Sequence, residues 1–449
     1  MPSFERGSTG GARPTLLGVL LLCLLLAACS SAKEKTQTDR RATREVERLE
    51  RGNLARTPNP DQLATREARR TESPPTREAQ GPAAAETREA SRQGTPTPIP
   101  LPAVLPTPRP TSTRPPESPV AAAGAASEVA GLKKVRGLFS ITKHNAPAAP
   151  GVLDNPSVDG IVVRTFWPDV QPSNGQFRWD FLDGQVQAAE SHGKKAVLIV
   201  LSGASTPDWA LEGVQSADFI SKYGFSRGDQ LRLPLPWDQT YLGRWFGFVK
   251  ALGQRYDQRP AVVLSQATGP TSISAEMSLP NDDASVAQWR TLGYTPEKFL
   301  GAWDQTLRTY VEAFPHTQVG LILYPGLPIP DRTASDRTRQ DAVALATDKY
   351  GSRVALQTSG LSARKEEQPR LGYQLLKQNA ARTTVGFEMG TSATERPDRM
   401  GNPDPVKALR NSIDFGLAAG AQYLIVYEKD VVNPAMQDTL RYAHTALAK

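Results

Sequence analysis

The chain has 449 residues, with 53 Lys and Arg against 46 Asp and Glu, and a formal net charge of +7. Charged residues of both signs are interspersed and no dense basic run occurs, which argues against nucleic-acid binding. The two cysteines, Cys23 and Cys29, lie near the N-terminus and the four histidines lack ligand spacing, so we expect no disulfide in the folded domain and no metal site.

Residues 1–28 have the pattern of a signal peptide, in which Arg6 and Arg13 precede an apolar run over residues 16–28. This run is too short to be a good membrane-spanning helix. It ends in Leu26-Ala27-Ala28-Cys29, which resembles the lipobox of bacterial lipoproteins, where the signal is cut before a cysteine that is then lipidated. The resemblance implies a lipid anchor at Cys29 and an extracytoplasmic, membrane-attached protein. The alternative is ordinary cleavage at an Ala-X-Ala-like site.

Residues 29–131 have the composition of a disordered tether. The segment is rich in Pro, Thr, Ala, Arg and Glu and contains no Trp, Tyr or Phe. Without large apolar side chains it cannot bury enough surface to offset its ordering entropy. Proline recurs through residues 95–119, which predicts an extended polyproline II spacer. All seven Trp lie beyond the tether, so the folded domain is expected over residues 132–449.

Eight short apolar or β-branched runs predict the strands of this domain, and they lie at residues 135–141, 160–165, 195–201, 261–266, 318–324, 353–358, 383–387 and 422–427. Helical patterns between most of them lie at residues 181–192, 241–256, 296–314, 341–350, 372–381 and 406–419. Alternating helices and buried strands indicate an α/β fold, and eight repeats favour a closed (β/α)8 TIM barrel over an open doubly wound sheet. No Gly-X-Gly-X-X-Gly follows the first strand, so a dinucleotide cofactor lacks support.

The second βα unit carries a family resemblance. In order along the chain it contains Trp167, Gln171-Pro172, Gly175, Phe177, Trp179 and Leu182-Asp183. This arrangement resembles clan A glycoside hydrolases, especially family-42 β-galactosidases. The resemblance implies that Trp167, Trp209 and Trp237 line sugar subsites, with Trp167 stacking on a sugar ring. For Trp237 the alternative is a proline-stiffened loop before a helix.

Two glutamates would supply the chemistry of such an enzyme. Glu276 lies beyond the fourth predicted strand and Glu388 directly follows the seventh. The C-terminal ends of barrel strands converge on one face, so the two carboxylates can meet across a cleft. Glu276 would then protonate the leaving oxygen, and Glu388 would act as the nucleophile or as the base that activates water. No Asn precedes Glu276 as in typical clan A enzymes, and its segment is more similar to the acid loop of β-amylases, which leaves open the stereochemistry and a loss of activity.

Three further residues are expected to bind substrate. Asn145 follows the first predicted strand, Tyr324 ends the fifth, and Glu428 follows the eighth, where pairing with Lys429 is the alternative role. We therefore predict a monomeric cell-envelope lipoprotein that hydrolyses glycosidic bonds of a carbohydrate substrate with no cofactor. The alternative is a catalytically inactive barrel that binds glycan or wall polymer.

Overall fold

The computed structural model describes residues 131–222, 228–364 and 370–449. The predicted signal peptide, the lipidation site at Cys29 and the tether as far as residue 130 lie outside these residues and stay predictions. The chain divides into two units, Met1–Ser112 and Thr113–Lys449, and the described residues all belong to the second. Within them, no helix is long and apolar enough to cross a membrane.

Eight parallel strands close into a barrel. Strands β1 to β8 are Gly137–Ile141, Gly160–Phe166, Lys195–Leu201, Val262–Gln266, Gln318–Ile322, Val354–Leu361, Val385–Met389 and Tyr423–Tyr427. Each strand pairs with its neighbours in chain order, and β1 closes the ring against β8 with Gly137 opposite Tyr423. The predicted (β/α)8 TIM barrel is thereby confirmed, and the eight predicted strands match the observed ones to within a few residues at their ends.

Helices cover the outside of the barrel. Helices α1 to α8 are Asp180–Ser191, Gln239–Tyr256, Asp283–Thr291, Pro296–Ala313, Ala334–Ala344, Leu371–Asn379, Pro405–Ala418 and Gln437–Leu447. Single α-helical turns occupy Trp167–Val170, Asp208–Leu211 and Glu428–Val431, and a π-helical turn, Leu345–Tyr350, extends α5. Short 3₁₀ turns occupy Gly203–Ser205, Gly351–Arg353, Pro397–Met400 and Pro434–Met436.

The first βα unit has no helix between β1 and β2, and the C-terminal helix α8 packs against β1 instead. Arg136 donates from Nη1 to the carbonyl of Leu447 at 3.2 Å. His444 Nδ1 lies 3.1 Å from Asp159, whose carboxylate also accepts from the backbone N–H of Leu138 at 2.7 Å. Helix α8 therefore covers strand β1, which is not followed by a helix of its own.

Three elements were absent from the sequence expectation. An antiparallel hairpin of strands Ser216–Ile220 and Gln230–Pro234 is inserted between β3 and α2, and α3 lies between β4 and α4. Helix α8 was also missed. The hairpin strands are only five residues long and α3 is mostly polar, so neither carries a strong periodic pattern.

The chain enters the barrel at the face where the strands begin. Lys133 forms a bridge with Thr317, the residue before β5, and its ammonium donates to the carbonyls of Asp257 and Arg259 at 2.6 and 2.8 Å. These carbonyls lie between α2 and β4. Strand β1 then runs from this face to the opposite one, where the carboxyl ends of all eight strands meet.

Glycines make room for large side chains inside the barrel. A Cβ on Gly386 would lie 2.1 Å from the ring of Tyr423, and one on Gly320 would lie 1.9 Å from Oε1 of Gln266. The Tyr423 hydroxyl donates to Oε1 of Gln357 at 2.9 Å, and Nε2 of Gln266 donates to the same oxygen at 2.6 Å. A polar layer thus crosses the buried interior beneath the carboxyl ends of the strands.

Candidate active site

Glu388 projects into the barrel from strand β7. Side chains alternate along a strand, so Glu388 shares the inward face with Gly386, while Phe387 and Met389 are buried on the outward face. Its register partners are Ser359 on β6 and Ile425 on β8. The carboxylate therefore stands one layer above Tyr423, at the carboxyl end of the barrel.

The environment of Glu388 favours its protonated form. Burial raises the pKa of this carboxyl, the negative charge of Glu276 raises it further, and the positive charge of Arg164 opposes both, with a resulting pKa of about 7. A carboxyl with this pKa holds its proton on about half of the molecules at neutral pH. Carboxyls with such shifts cluster at functional sites, particularly where a second carboxylate lies in the same cleft.

Glu276 reaches the same site through a long loop after β4. Gly269 has φ of +134°, and its carbonyl accepts from the Tyr241 hydroxyl at 2.6 Å. The neighbouring carbonyl of Thr268 accepts from the indole N–H of Trp245 at 2.7 Å. These bonds fix the end of β4 against α2. The loop then returns to the barrel, where the N–H of Met277 donates to the carbonyl of Ile322 at 3.0 Å.

Glu276 and Glu388 line one cavity of about 600 Å³. Its wall includes the last residue of each of four barrel strands, namely Ile141, Phe166, Leu201 and Ile322. The cavity therefore opens at the carboxyl ends of the strands, where barrel enzymes carry their active sites. Both predicted glutamates line this cavity, and their catalytic roles stay a proposal.

Arg164 and His144 also line this cavity. Arg164 donates from Nε and Nη2 to the carbonyl of Thr142 at 2.8 and 2.5 Å, and its charge acts on Glu388 and Glu276. His144 stacks on Phe166 with ring centroids 4.9 Å apart. Burial, together with the charge of Arg164, lowers the pKa of His144 to about 4, so its imidazole is neutral at physiological pH.

Sequence reasoning missed both residues. The signal for Arg164 was a charged residue inside an otherwise apolar strand, where a buried charge needs a partner. The signal for His144 was weaker, since the sequence gives no sign that its ring packs on Phe166. Within the described residues, no group of three or more His, Cys, Asp or Glu is placed to hold a metal ion.

The stacking role expected of Trp167 is wrong. Its side chain is 0% exposed, and its indole N–H donates to Oε1 of Gln171 at 2.9 Å. Trp167 begins a single helical turn, which directs its ring outward among Trp245, Phe248 and Trp209. The ring therefore belongs to the layer between barrel and helices.

Trp209 and Trp237 do not line the cavity either. Trp209 packs edge-on against Trp167, and its indole N–H donates to the carbonyl of Gln171 at 3.2 Å. Trp237 packs against Trp289 and Tyr294. Both rings are partly buried against the core, so their placement gives no support to a sugar-stacking role.

The three remaining expected residues fall in different places. Tyr324 lines the cavity and is 37% exposed. Asn145 is exposed outside the lining, with φ of +54° and a hydrogen bond to Asp169 at 2.8 Å. Glu428 is also outside the lining and accepts from the N–H of Ala149 at 2.8 Å, and burial raises its pKa. The partner of Lys429 is Glu395, so the alternative pairing with Glu428 is not formed.

No protein-family model matches the chain, and no curated protein matches it. Among solved structures, the chain is similar to the catalytic domain of the major endoglucanase from Xanthomonas campestris pv. campestris, with a TM-score of 0.40 and 10% identity over 70% of this chain and 95% of that chain. It is also similar to xylanase B from Clostridium stercorarium F9, with a TM-score of 0.41 and 14% identity over 65% of this chain and 85% of that chain. A third similar structure is a triple mutant of an endo-β-1,4-glucanase from Xanthomonas axonopodis pv. citri, with a TM-score of 0.40 and 13% identity over 69% of this chain and all of that chain.

Proposed function

We propose that the protein hydrolyses glycosidic bonds with Glu276 and Glu388 as its two catalytic carboxyls. The observation that carries the proposal is that both line one cavity at the carboxyl end of the barrel, with the charge of one raising the pKa of the other. Acid-assisted cleavage of an acetal requires one carboxyl that can donate a proton and a second carboxyl on the other side of the bond.

The electrostatics favour Glu388 as the proton donor, which reverses the roles expected from strand position. With a pKa of about 7, Glu388 keeps its proton on about half of the molecules at neutral pH, beside the negative charge of Glu276. Glu388 would give its proton to the glycosidic oxygen as the C–O bond breaks. Glu276 would attack the anomeric carbon in a retaining reaction, or take a proton from the attacking water in an inverting one.

Arg164 and His144 would support this reaction without taking part in proton transfer. The guanidinium of Arg164 lies near both glutamates and stabilises the negative charge that alternates between them. The neutral imidazole of His144 offers one donor and one acceptor, which suits sugar hydroxyls. The glycan-binding alternative depended on a tryptophan-lined cleft, and the three tryptophans lie away from the cavity.

Single substitutions to glutamine test the proposal. Glu276→Gln and Glu388→Gln should each slow hydrolysis of aryl glycosides by about 10²–10⁴-fold, because each removes one essential carboxyl while keeping its shape. Glu428→Gln is the matched control, since Glu428 is a half-buried carboxyl outside the cavity and glutamine keeps its acceptor oxygen for Ala149. Wild-type rates in both cavity variants would overturn the proposal.

The leaving group distinguishes the roles of the two glutamates. A nitrophenolate leaves without protonation, whereas an alkoxide does not. If Glu388 is the acid, Glu388→Gln should keep more activity on nitrophenyl glycosides than on alkyl glycosides, and Glu276→Gln should lose both alike. The opposite pattern would restore the assignment expected from strand position.

We also infer that the barrel is carried on a lipid-anchored tether at the extracytoplasmic side of a bacterial membrane. The inference rests on residues 1–131 alone, with an apolar run that ends at Cys29 and a following segment without aromatic residues.

A further inference from the structure

Large apolar side chains are exposed around the candidate active site. In the described parts of the chain, the exposed large hydrophobic residues are Ile220, Ile273, Tyr324 and Val432, at 47%, 36%, 37% and 45% exposure. Three of these four, all except Val432, line the cavity that holds Glu276 and Glu388. Apolar groups gathered at one opening mark a binding surface, whereas single ones scattered over a protein do not.

These exposed side chains stand on a fixed framework. The hairpin that carries Ile220 is held to α3, because Phe219 stacks on Trp289 at 4.6 Å and Gln288 donates to the carbonyl of Asp218 at 3.0 Å. Trp289 in turn donates to the carbonyl of Pro280 at 3.1 Å. The hairpin and the loop that carries Glu276 are therefore joined through one helix.

The loop that carries Ile273 is tied to the barrel as well. The N–H of Ala204 donates to the carbonyl of Ser272 at 2.9 Å. Gly203 has φ of +60°, and a Cβ there would lie 2.3 Å from the same carbonyl, so the two loops are in direct backbone contact. The backbone contact of Ser272 thus holds its neighbour Ile273 at the cavity wall.

The two carboxyls and the exposed aliphatic side chains consequently stand on different elements of one cavity wall. Glu276, Glu388 and Arg164 lie at the barrel end, where a sugar would be cleaved. The outer wall, built from the hairpin and the loop after β4, contributes four aliphatic side chains, which are Ile220, Leu231, Ile273 and Leu279. Lys222, Asn281, Asp282 and several serines also line this wall, whereas the aromatic rings of Phe166 and Tyr324 stand near the ends of strands β2 and β5.

We propose that the substrate is a glycoside whose leaving group is an aliphatic chain, as in a single-chain glycolipid, rather than a polysaccharide. The proposal rests on the hydrolytic function proposed above. The sugar would lie between the two glutamates and the chain would extend along the four aliphatic side chains. Cleavage would transfer the proton of the acid to the glycosidic oxygen and release the chain as an alcohol, and water would supply the hydroxyl of the free sugar.

Binding can be measured separately from hydrolysis. In the full chain carrying Glu276→Gln and Glu388→Gln together, calorimetry would compare methyl, hexyl and octyl β-D-glucopyranosides and β-D-galactopyranosides below their micelle concentrations. Burial of each methylene is worth at most about 0.8 kcal/mol, or about fourfold in affinity. We expect about twofold per methylene, so octyl glycosides should bind on the order of 100-fold more tightly than methyl glycosides.

Matched surface variants locate the effect. Adding Ile220→Ser and Ile273→Ser should reduce the octyl-to-methyl ratio by about tenfold or more, and Val432→Ser should leave it unchanged because Val432 is equally exposed outside the cavity. Equal affinity for methyl and octyl glycosides, no binding of either octyl glycoside, or a ratio insensitive to the isoleucine variants would overturn this proposal. If affinity still rises with the length of the alkyl chain but the wild-type protein cleaves no glycoside, the proposed function fails and the apolar binding site stands.

Discussion

The negative charge of Glu276 helps to raise the pKa of Glu388 to about 7, against the positive charge of Arg164. Glu388 lies within strand β7, whereas Glu276 lies in the long loop that follows strand β4. The loop after β4 returns to the barrel at Met277 and brings Glu276 to the cavity into which β7 directs Glu388.

We predict that the pKa of Glu388 depends on both neighbours with opposite signs. Glu276→Gln removes a negative charge and should lower the pKa of Glu388, whereas Arg164→Gln removes a positive charge and should raise it. Carbon-13 NMR titration of the labelled carboxyl would measure both. Glu428→Gln is the control, and equal titration of Glu388 in all variants would show that the glutamates do not interact.

Stability should fall as the pH rises through neutrality. The pKa of Glu388 is raised from 4.5 to about 7 on folding, so its contribution to stability is fully present below pH 4.5 and is lost as the pH rises through 7. Between pH 5 and pH 8 the wild-type protein should lose on the order of 2–3 kcal/mol relative to Glu388→Gln. Urea unfolding at both pH values would measure this, and parallel pH profiles would contradict it.

Gly386→Ala should destabilise the barrel. The added methyl would lie 2.1 Å from the ring of Tyr423, which is itself fully buried and cannot move freely. We expect a loss of about 1–3 kcal/mol in the free energy of unfolding. Gly301→Ala in helix α4 is the control, because nothing lies within 4 Å of its added methyl and helix propensity favours alanine by about 1 kcal/mol. A neutral Gly386→Ala would mean that Tyr423 repacks.

Cys29→Ala should abolish lipid attachment. Once a signal peptide is removed before residue 29, no other cysteine remains in the chain. Metabolic labelling with a fatty acid and membrane fractionation would measure the loss in the variant. Cys23→Ala, inside the apolar run, is the control and should still be labelled. Full labelling of Cys29→Ala would exclude the lipobox.

The barrel could be predicted because its strands are buried on both faces. Such strands appear in a sequence as continuous apolar runs, as at Lys195–Leu201. The hairpin and α3 could not be found in this way, because they stabilise each other through contacts such as Phe219 on Trp289. Sequence patterns report local periodicity and carry no information on such pairs.

The positions of the two carboxylates could be predicted from the sequence, but most of the other side chains that line the cavity could not. Glu388 directly follows the apolar run predicted as the seventh strand, so a position near the barrel mouth could be inferred from strand order alone. The direction of the Trp167 indole at the end of β2 could not be inferred in this way, and this ring points away from the barrel mouth. Exposure of Ile220 and Ile273 depends on loops whose path no sequence pattern specifies.

Lys133 lies on the face of the barrel opposite to the candidate active site. Lys133 contacts the face where the strands begin, and the cavity opens at the face where they end. The two faces are separated by the full length of the strands. Lys133 and the carbonyls that it binds therefore belong to the floor of the barrel, where side chains can contribute to stability without bordering the cavity.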